Sequence, residues 1–148
     1  MYTVQSYKLS YVKERSAIAA EKRTILHRRD VASFCRQVLS DAPIEYVVIV
    51  ALDNANKITG YTMVSGTVNQ CALYPAEVFR FLLSTNASAF IIAHNHPAGS
   101  TTASDADWRL TQELRQAGRI LNIPLHDHVI IASESETVVS LRDSSRWA

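Results

Sequence analysis

Buried strands and amphipathic helices alternate along most of this 148-residue chain. The run IEYVVIVAL, at residues 44–52, is rich in β-branched residues and almost unbroken in its apolar character, which is typical of a strand covered on both faces. The turn residues DNANK follow it, and ITGYTMVSGTV then predicts a second strand, so residues 44–68 are expected to form a hairpin. ASAFIIAHNHP predicts another buried strand, and PLHDHVIIAS and TVVSL predict two more short strands.

Three segments carry apolar residues at helical spacing. RDVASFCRQVLSD places its apolar residues, from Val31 to Leu39, on one face and has Asp30 as its predicted N-cap. YPAEVFRFLLSTN predicts a short helix with Pro75 in its first turn, and SDADWRLTQELRQAGRILNI predicts the strongest helix, with Ser104 as its N-cap. Helices that alternate with buried strands predict an α/β fold, in which a mixed sheet is flanked by helices in a three-layer-like sandwich.

Composition agrees with one globular domain, since 47% of the residues are hydrophobic and 20% are charged. The formal net charge of +1 gives no general electrostatic case for binding nucleic acid or a membrane surface. Residues 1–42 are locally basic, with eight Lys and Arg against four Asp and Glu. We interpret this segment as a solvated face, with contact to nucleic acid as the alternative.

The cellular setting is predicted from what the sequence lacks. The N-terminal residues show no charged start followed by an apolar run, and no apolar stretch approaches membrane-spanning length, so we expect a cytoplasmic protein without membrane contact. Cys35 and Cys71 stand in apolar surroundings outside any CxxC motif and are expected to be buried free thiols. Residues 2–12 predict an edge strand that has room to pair with another chain, which leaves the oligomeric state open.

The stretch AHNHPAGSTTASDAD, at residues 93–107, concentrates candidate metal ligands where a strand ends. Side chains two apart in a strand project from the same face, so His94 and His96 are expected to face one ion together. Pro97 prevents an ordinary continuation of the strand, and Gly99 lets the backbone reverse. The histidines therefore lie at the carboxyl end of a strand, where ligands gather in open α/β sheets.

A carboxylate at the start of the next helix completes the candidate site. Asp107 lies three residues after the predicted cap Ser104 and at the same end of the sheet as the histidines. Asp105 is the competing carboxylate, although a first-turn acid beside a cap more commonly complements the helix dipole. Two histidines and one carboxylate leave a fourth tetrahedral position for water, which is the pattern of a catalytic zinc site.

The order His94-x-His96-Pro97 and then Ser104-x-x-Asp107, with ten residues between His96 and Asp107, resembles the JAMM motif of JAB/MPN-type metalloproteases. The wider text GTVNQCALYPAEVFRFLLSTNASAFIIAHNHPAGSTTASDAD and LTQELRQAGRILNIPLHDHVII resembles the bacterial RadC subfamily, from about residue 30 to about residue 140. The resemblance implies a JAB/MPN, cytidine-deaminase-like architecture. It also implies that His94, His96 and Asp107 ligate zinc and that the Ser104 hydroxyl supports a developing oxyanion.

The family also has a glutamate before its first core strand, which acts as general base. Glu45, in PIEYVVIVALD, matches that place, and Glu77, in the YPAEVF helix, is the alternative. The implied activity is zinc-dependent hydrolysis of a peptide or isopeptide bond, with a substrate that the sequence does not identify. On this interpretation residues 1–29 are an N-terminal strand and basic connector, and residues 30–148 are a RadC-like JAB/MPN domain.

A second H-x-H pair stands in LHDHVII. His126 and His128 are predicted to share one face of a strand, which makes a four-histidine metal site conceivable. The resemblance assigns no zinc ligand to this segment. It favours a role for Asp127 and His128 in lining the cleft or in a hydrogen bond that orients a metal ligand.

Three other functions compete with hydrolysis. A zinc nucleobase deaminase requires H-x-E followed by P-C-x-x-C, and neither pattern occurs here. An HNH-type nuclease is a superficial match, because those enzymes distribute their histidines over a ββα unit. A non-catalytic or DNA-repair-associated zinc-binding module stays an alternative. Longer RadC-like proteins carry an N-terminal helix–hairpin–helix region, and residues 1–29 show no G-x-G hairpin typical of one, so the resemblance is to a short form.

Overall fold

The computed structural model describes residues 3, 24–39, 42, 44–65, 73–97, 99–132 and 136–148. Several predictions from the sequence fall outside these residues: the edge strand at residues 2–12, most of the basic connector, the end of the hairpin at residues 66–68, and Cys71. The elements are α1 (Arg28–Val38), β1 (Tyr46–Leu52), β2 (Ile58–Ser65), α2 (Pro75–Ser84), β3 (Ala89–His96), α3 (Asp105–Leu121), β4 (Leu125–Ala132) and β5 (Val138–Ser140). Two short 3₁₀ helices follow, Leu141–Asp143 and Ser145–Trp147.

The five described strands form one mixed sheet in the order β2-β1-β3-β4-β5. β1 pairs in antiparallel fashion with both β2 and β3, while β3 and β4 are parallel, and β5 returns antiparallel to β4. The parallel pair requires a crossover connection, and α3 provides it. The predicted hairpin is confirmed over the residues that the structure describes, and so is the predicted mixed α/β sheet.

Helices cover both faces of the sheet and make the three layers that the sequence predicts. On one face, α1 packs Val31, Phe34 and Cys35 against alternate residues of the central strands, such as Val48 and Ile91. On the other face, α2 and α3 pack against the residues in between; this second core includes Val78, Leu82, Leu114, Ile49 and Ile92. Because β1 and β3 are buried on both sides, their sequences show continuous apolar runs rather than alternation.

The cap of α1 differs from its prediction. The helix begins at Arg28 with His27 as its N-cap, and Asp30 lies three residues inside it. The Asp30 carboxylate accepts hydrogen bonds from the backbone N–H groups of Leu26 at 2.9 Å and His27 at 3.0 Å. An acidic side chain satisfies free N–H groups at a helix start from the cap or from the third helical position, so sequence pattern alone does not separate the two. Asp30 as N-cap was therefore wrong.

Cys35 is buried on the inner face of α1 and is a free thiol, as predicted. Burial raises the pKa of this thiol to about 12, so it stays protonated at neutral pH.

Among the described residues, none of the helices combines the length and the apolar character that crossing a bilayer requires.

The end of α3 lies close to the backbone that leads into β4. Asn122 caps the helix with a left-handed conformation (φ 58°), and the Ile123 N–H then donates to the Gly118 carbonyl at 2.9 Å. A Cβ at Gly118 would stand 2.5 Å from the Ile123 carbonyl oxygen. The chain therefore needs glycine at this position in order to turn directly from α3 into β4.

We predict that Gly118→Ala destabilises the fold by about 1–3 kcal/mol, because a backbone oxygen must move to admit the methyl group. The loss is expected although alanine is the better helix former. Urea denaturation measures it. Gly60→Ala is the matched control, since a Cβ there meets only the Thr85 methyl group at 3.7 Å. Equal stability of the two variants would contradict the close approach at Gly118.

Candidate metal centre

Two histidine rings meet at the carboxyl end of β3. His94 is fully buried and His96 is partly exposed, and their Nε2 atoms lie 2.7 Å apart. The two side chains share one face of the strand, as the alternation of side chains in an extended chain requires. Any group held between these nitrogens is reached from solvent on the His96 side.

The first turn of α3 brings a carboxylate to the same point. The Ser104 Oγ accepts a hydrogen bond from the Asp107 N–H at 3.1 Å, and the Ser104 N–H donates to the Asp107 Oδ2 at 2.8 Å. This reciprocal arrangement is a capping box, and it confirms Ser104 as the N-cap. It also holds Asp107 Oδ2 at 3.5 Å from His94 Nε2 and 3.8 Å from His96 Nε2.

The two candidate carboxylates of this turn are placed differently. Asp107 is buried, with 2% of its surface exposed. Asp105 is exposed, and its Oδ1 lies 3.6 Å from the Arg146 Nη1. Of these two acids, the structure brings only Asp107 to the histidines.

A fourth side chain approaches from the start of β1. Val47 is paired with His94 across the sheet, so the residue that precedes β1 lies beside the end of β3. One ligand atom from each of Glu45, His94, His96 and Asp107 lies within 4.8 Å of the other three. Glu77, the alternative acid, is exposed in the first turn of α2 and is not in this group.

The backbone around Glu45 is held by a residue that sequence reasoning missed. The Asn95 Oδ1 accepts a hydrogen bond from the Tyr46 N–H at 2.7 Å, and the Asn95 Nδ2 donates to the Ile44 carbonyl at 3.0 Å. Asn95 thus bonds the residues on both sides of Glu45. Its own position gave the signal: a polar side chain that is buried near the end of an apolar strand needs hydrogen-bond partners.

A chain of hydrogen bonds behind His94 fixes which of its nitrogens carries a proton. The Thr111 hydroxyl donates to the Asp107 carbonyl at 2.7 Å, so at its 2.6 Å contact with His128 Nδ1 it accepts. His128 Nδ1 is therefore protonated. Burial, and to a smaller degree the charge of His94, hold the pKa of His128 well below its usual value, so the ring is neutral and its Nε2 is an acceptor. At 2.7 Å, that Nε2 accepts from His94 Nδ1.

The hydrogen bonds at Nδ1 leave the Nε2 atoms of His94 and His96 facing the centre. His94 donates a hydrogen bond from Nδ1 to His128, and His96 donates one from Nδ1 to the Ser100 carbonyl oxygen at 2.7 Å. Each Nε2 is thus the nitrogen that can coordinate a metal. The two Nε2 atoms lie 2.7 Å apart beside a carboxylate, a position in which a cation is stabilised.

The pKa of Asp107 reflects the same demand for positive charge. Burial by itself raises this pKa, but the hydrogen bond and the charge that a protonated His94 supplies, together with the Ser104 backbone N–H, lower it below its usual value. The carboxyl group is therefore charged. Two imidazole nitrogens and a carboxylate oxygen are ligands that zinc accepts, so this donor set fits a zinc ion.

The second H-x-H pair does not form a four-histidine site. His128 lies behind His94 and contacts the nitrogen that points away from Asp107. His126 is not in the four-residue group. Asp127 accepts hydrogen bonds from the Ser140 hydroxyl at 2.7 Å and from the His128 N–H at 2.7 Å, so it joins β4 to β5. Burial outweighs these hydrogen bonds and raises the pKa of Asp127.

The sequence is similar to those of known proteins. A family model described as a RadC-like JAB domain matches residues 25–146. A UPF0758 protein of Staphylococcus epidermidis is 36% identical over 118 residues, which cover 79% of this chain and 52% of the relative. The UPF0758 protein of Haemophilus ducreyi is 40% identical over 92 residues, which cover 62% of this chain and 41% of the relative. That of Bordetella petrii is 34% identical over 141 residues, which cover 91% of this chain and 62% of the relative. The chain thus spans about half the length of these curated relatives.

We predict that His128→Phe weakens zinc binding about 10–100-fold, because His94 then loses the acceptor that orients its ring. Competition with a chromophoric chelator measures the affinity. Thr111→Val, which removes the far end of the same chain of hydrogen bonds, is expected to give a smaller loss in a folded protein. His126→Phe is the matched control from the same strand, and an equal loss there would contradict the assignment.

We predict that Asn95→Ala speeds amide hydrogen exchange at Tyr46 by at least about tenfold, since the acceptor of that N–H is removed. Exchange is followed by NMR in the metal-free protein. Ser140→Ala, which deletes another buried side-chain hydrogen bond of the sheet, should leave the Tyr46 exchange rate unchanged. Unaltered exchange at Tyr46 in Asn95→Ala would show that the contact does not hold this segment.

Proposed function

Since this chain belongs to the RadC-like JAB domain family, we propose that it is a zinc-dependent metallohydrolase that cleaves a peptide or isopeptide bond. One observation carries the proposal: ligand atoms of Glu45, His94, His96 and Asp107 lie within 4.8 Å of one another. The hydrogen bonds at Nδ1 of the two histidines direct both Nε2 atoms towards the same point. A purely structural cluster has no need for such an arrangement.

In this proposal His94, His96 and Asp107 hold the metal, and Glu45 is left free for proton transfer. Zinc, when bound, supplies a Lewis acid that lowers the pKa of water towards about 7. Three protein ligands leave a coordination position open, as in catalytic rather than closed structural zinc sites. The chemistry is therefore hydrolysis with water as the nucleophile.

Glu45 is the proposed general base. Its carboxylate takes a proton from the attacking water and later delivers that proton to the leaving amine, a contribution of about 10²–10⁴-fold in rate for a well-placed group. Asn95 keeps the backbone on both sides of Glu45 in place, which restricts where the carboxylate reaches. A base held in this way loses less conformational freedom when the substrate arrives.

Ser104 is the proposed donor to the developing oxyanion. Its oxygen accepts from the Asp107 N–H, and this leaves the hydroxyl proton free to donate. The side chain is exposed, next to the carboxylate that it positions. In other hydrolases one such donor stabilises the transition state by about 3–4 kcal/mol.

The first test of this function is metal content. We expect purified protein to hold about one zinc per chain by elemental analysis, and Asp107→Ala to lose it because a ligand is missing. Asp105→Ala is the matched control from the same helical turn and should keep its zinc. A wild-type protein that binds no zinc would refute the proposal.

The second test separates the base from the ligands. On a substrate found by screening peptides and isopeptides, Glu45→Gln is expected to retain zinc and to lose about 10²–10⁴-fold in kcat. Glu77→Gln is the control and should behave as wild type. Full activity of Glu45→Gln would exclude Glu45 as the base. Stoichiometric zinc without hydrolysis of any substrate would favour the non-catalytic zinc-binding module.

A further inference from the structure

The second H-x-H pair leaves His126 without a role in the metal centre, and the structure gives this residue a different setting. His126 lines a cavity of about 170 Å³ together with Arg115 and Arg119 of α3, Arg142 of the first 3₁₀ helix, and Trp147. We call this cavity the arginine pocket. It is separate from the metal centre: His96 pairs with Ala132, six residues along β4 from His126, which is a distance of about 20 Å.

The charge of the arginine pocket is not compensated. None of its lining residues is acidic. Within the described residues, Arg115, Arg119 and Arg142 make no ion pair, although Arg28, Arg36 and Arg146 do. Like charges gathered around one cavity repel each other, so such a pocket is stabilised when an anion enters it.

Two of the three guanidinium groups are fixed by neutral partners. The Arg142 Nη1 donates to the His126 carbonyl at 3.3 Å. The Arg115 Nη1 donates to the Trp147 carbonyl, and its guanidinium lies 4.5 Å from the centre of the Trp147 ring. These contacts orient both groups without neutralising them. Arg119 is exposed, and no described residue accepts a hydrogen bond from it.

We propose that the arginine pocket binds the phosphate group of a small compound. Planar guanidinium groups offer paired N–H donors that match phosphate oxygens, and a phosphate carries nearly two negative charges at neutral pH. Burial, and then the charge of Arg142, lower the pKa of His126, so this ring adds hydrogen bonding to the pocket without adding charge.

The neighbouring charges favour a small compound over a nucleic-acid strand. Arg28 is paired with Asp143, and Arg146 lies 3.6 Å from Asp105, so the nearby basic residues are already engaged by acids. A strand needs a continued line of cationic contacts along its backbone. Arg115, Arg119 and Arg142 instead gather around a single cavity.

The test is a titration of the full chain with inorganic phosphate and with pyrophosphate, followed by ¹H–¹⁵N NMR. We expect saturable shifts at the residues of the arginine pocket. Arg119→Gln should raise the Kd about tenfold, the loss of one charged hydrogen bond. The fold does not depend on this side chain, so the variant stays folded. Arg109→Gln, an exposed arginine of the same helix outside the pocket, should bind as wild type.

Four results would overturn the proposal. The first is equal chemical-shift changes in sodium chloride at matched ionic strength, and the second is an unchanged Kd in Arg119→Gln. The third is loss of phosphate binding in Asp107→Ala. The fourth is much tighter Arg119-dependent binding of a short oligonucleotide. The third result would place the phosphate at the metal centre, and the fourth would make a nucleic-acid backbone the ligand. The experiment needs neither zinc nor hydrolysis, so it is independent of the proposed function.

Discussion

The central strand β3 is the constraint on which the rest of the structure depends. It pairs with β1 on one side and with β4 on the other, and helices cover both faces of the sheet. Each neighbour is therefore fixed in register against His94: Val47 lies opposite it in β1, and Ile130 lies opposite it in β4. The antiparallel neighbour brings Glu45 to the end of β3, and the parallel neighbour brings His128 behind the ring. A slip of one residue in either pairing would turn the side chains to the other face of the sheet.

Burial of the polar groups of the centre costs little free energy because these groups are hydrogen-bonded to one another. Across the described part of the chain, no buried side-chain nitrogen or oxygen lacks a hydrogen-bond partner. His94, His128 and Thr111 form one directional series, in which His94 donates to His128, His128 to Thr111, and Thr111 to the Asp107 carbonyl. Such a series is rigid, since one proton cannot change place without changing all the others. The centre is thus organised before any ligand reaches it.

Much of this organisation is readable from the sequence. Continuous apolar runs indicated β1 and β3, and Ser104 was identified as a cap from its place before an amphipathic helix. Contacts that depend on strand register were not readable. The spacing of His126 and His128 does not distinguish them, and it was the resemblance that favoured His128. The parallel pairing of β3 with β4 is what sets His128 behind His94. Asn95 was missed because its partners at Ile44 and Tyr46 lie about fifty residues away. Asp30 was assigned to the wrong position because local sequence permits both.

The capping box of α3 makes the start of a helix and one wall of the centre a single cooperative unit. The Asp107 Oδ2 that faces the two histidines is also the acceptor of the Ser104 N–H. Fraying of the first turn would withdraw this oxygen from the histidines, and any cation that binds the oxygen opposes fraying. Binding of a cation at the centre is therefore coupled to local unfolding of the first turn of α3, and each opposes the other.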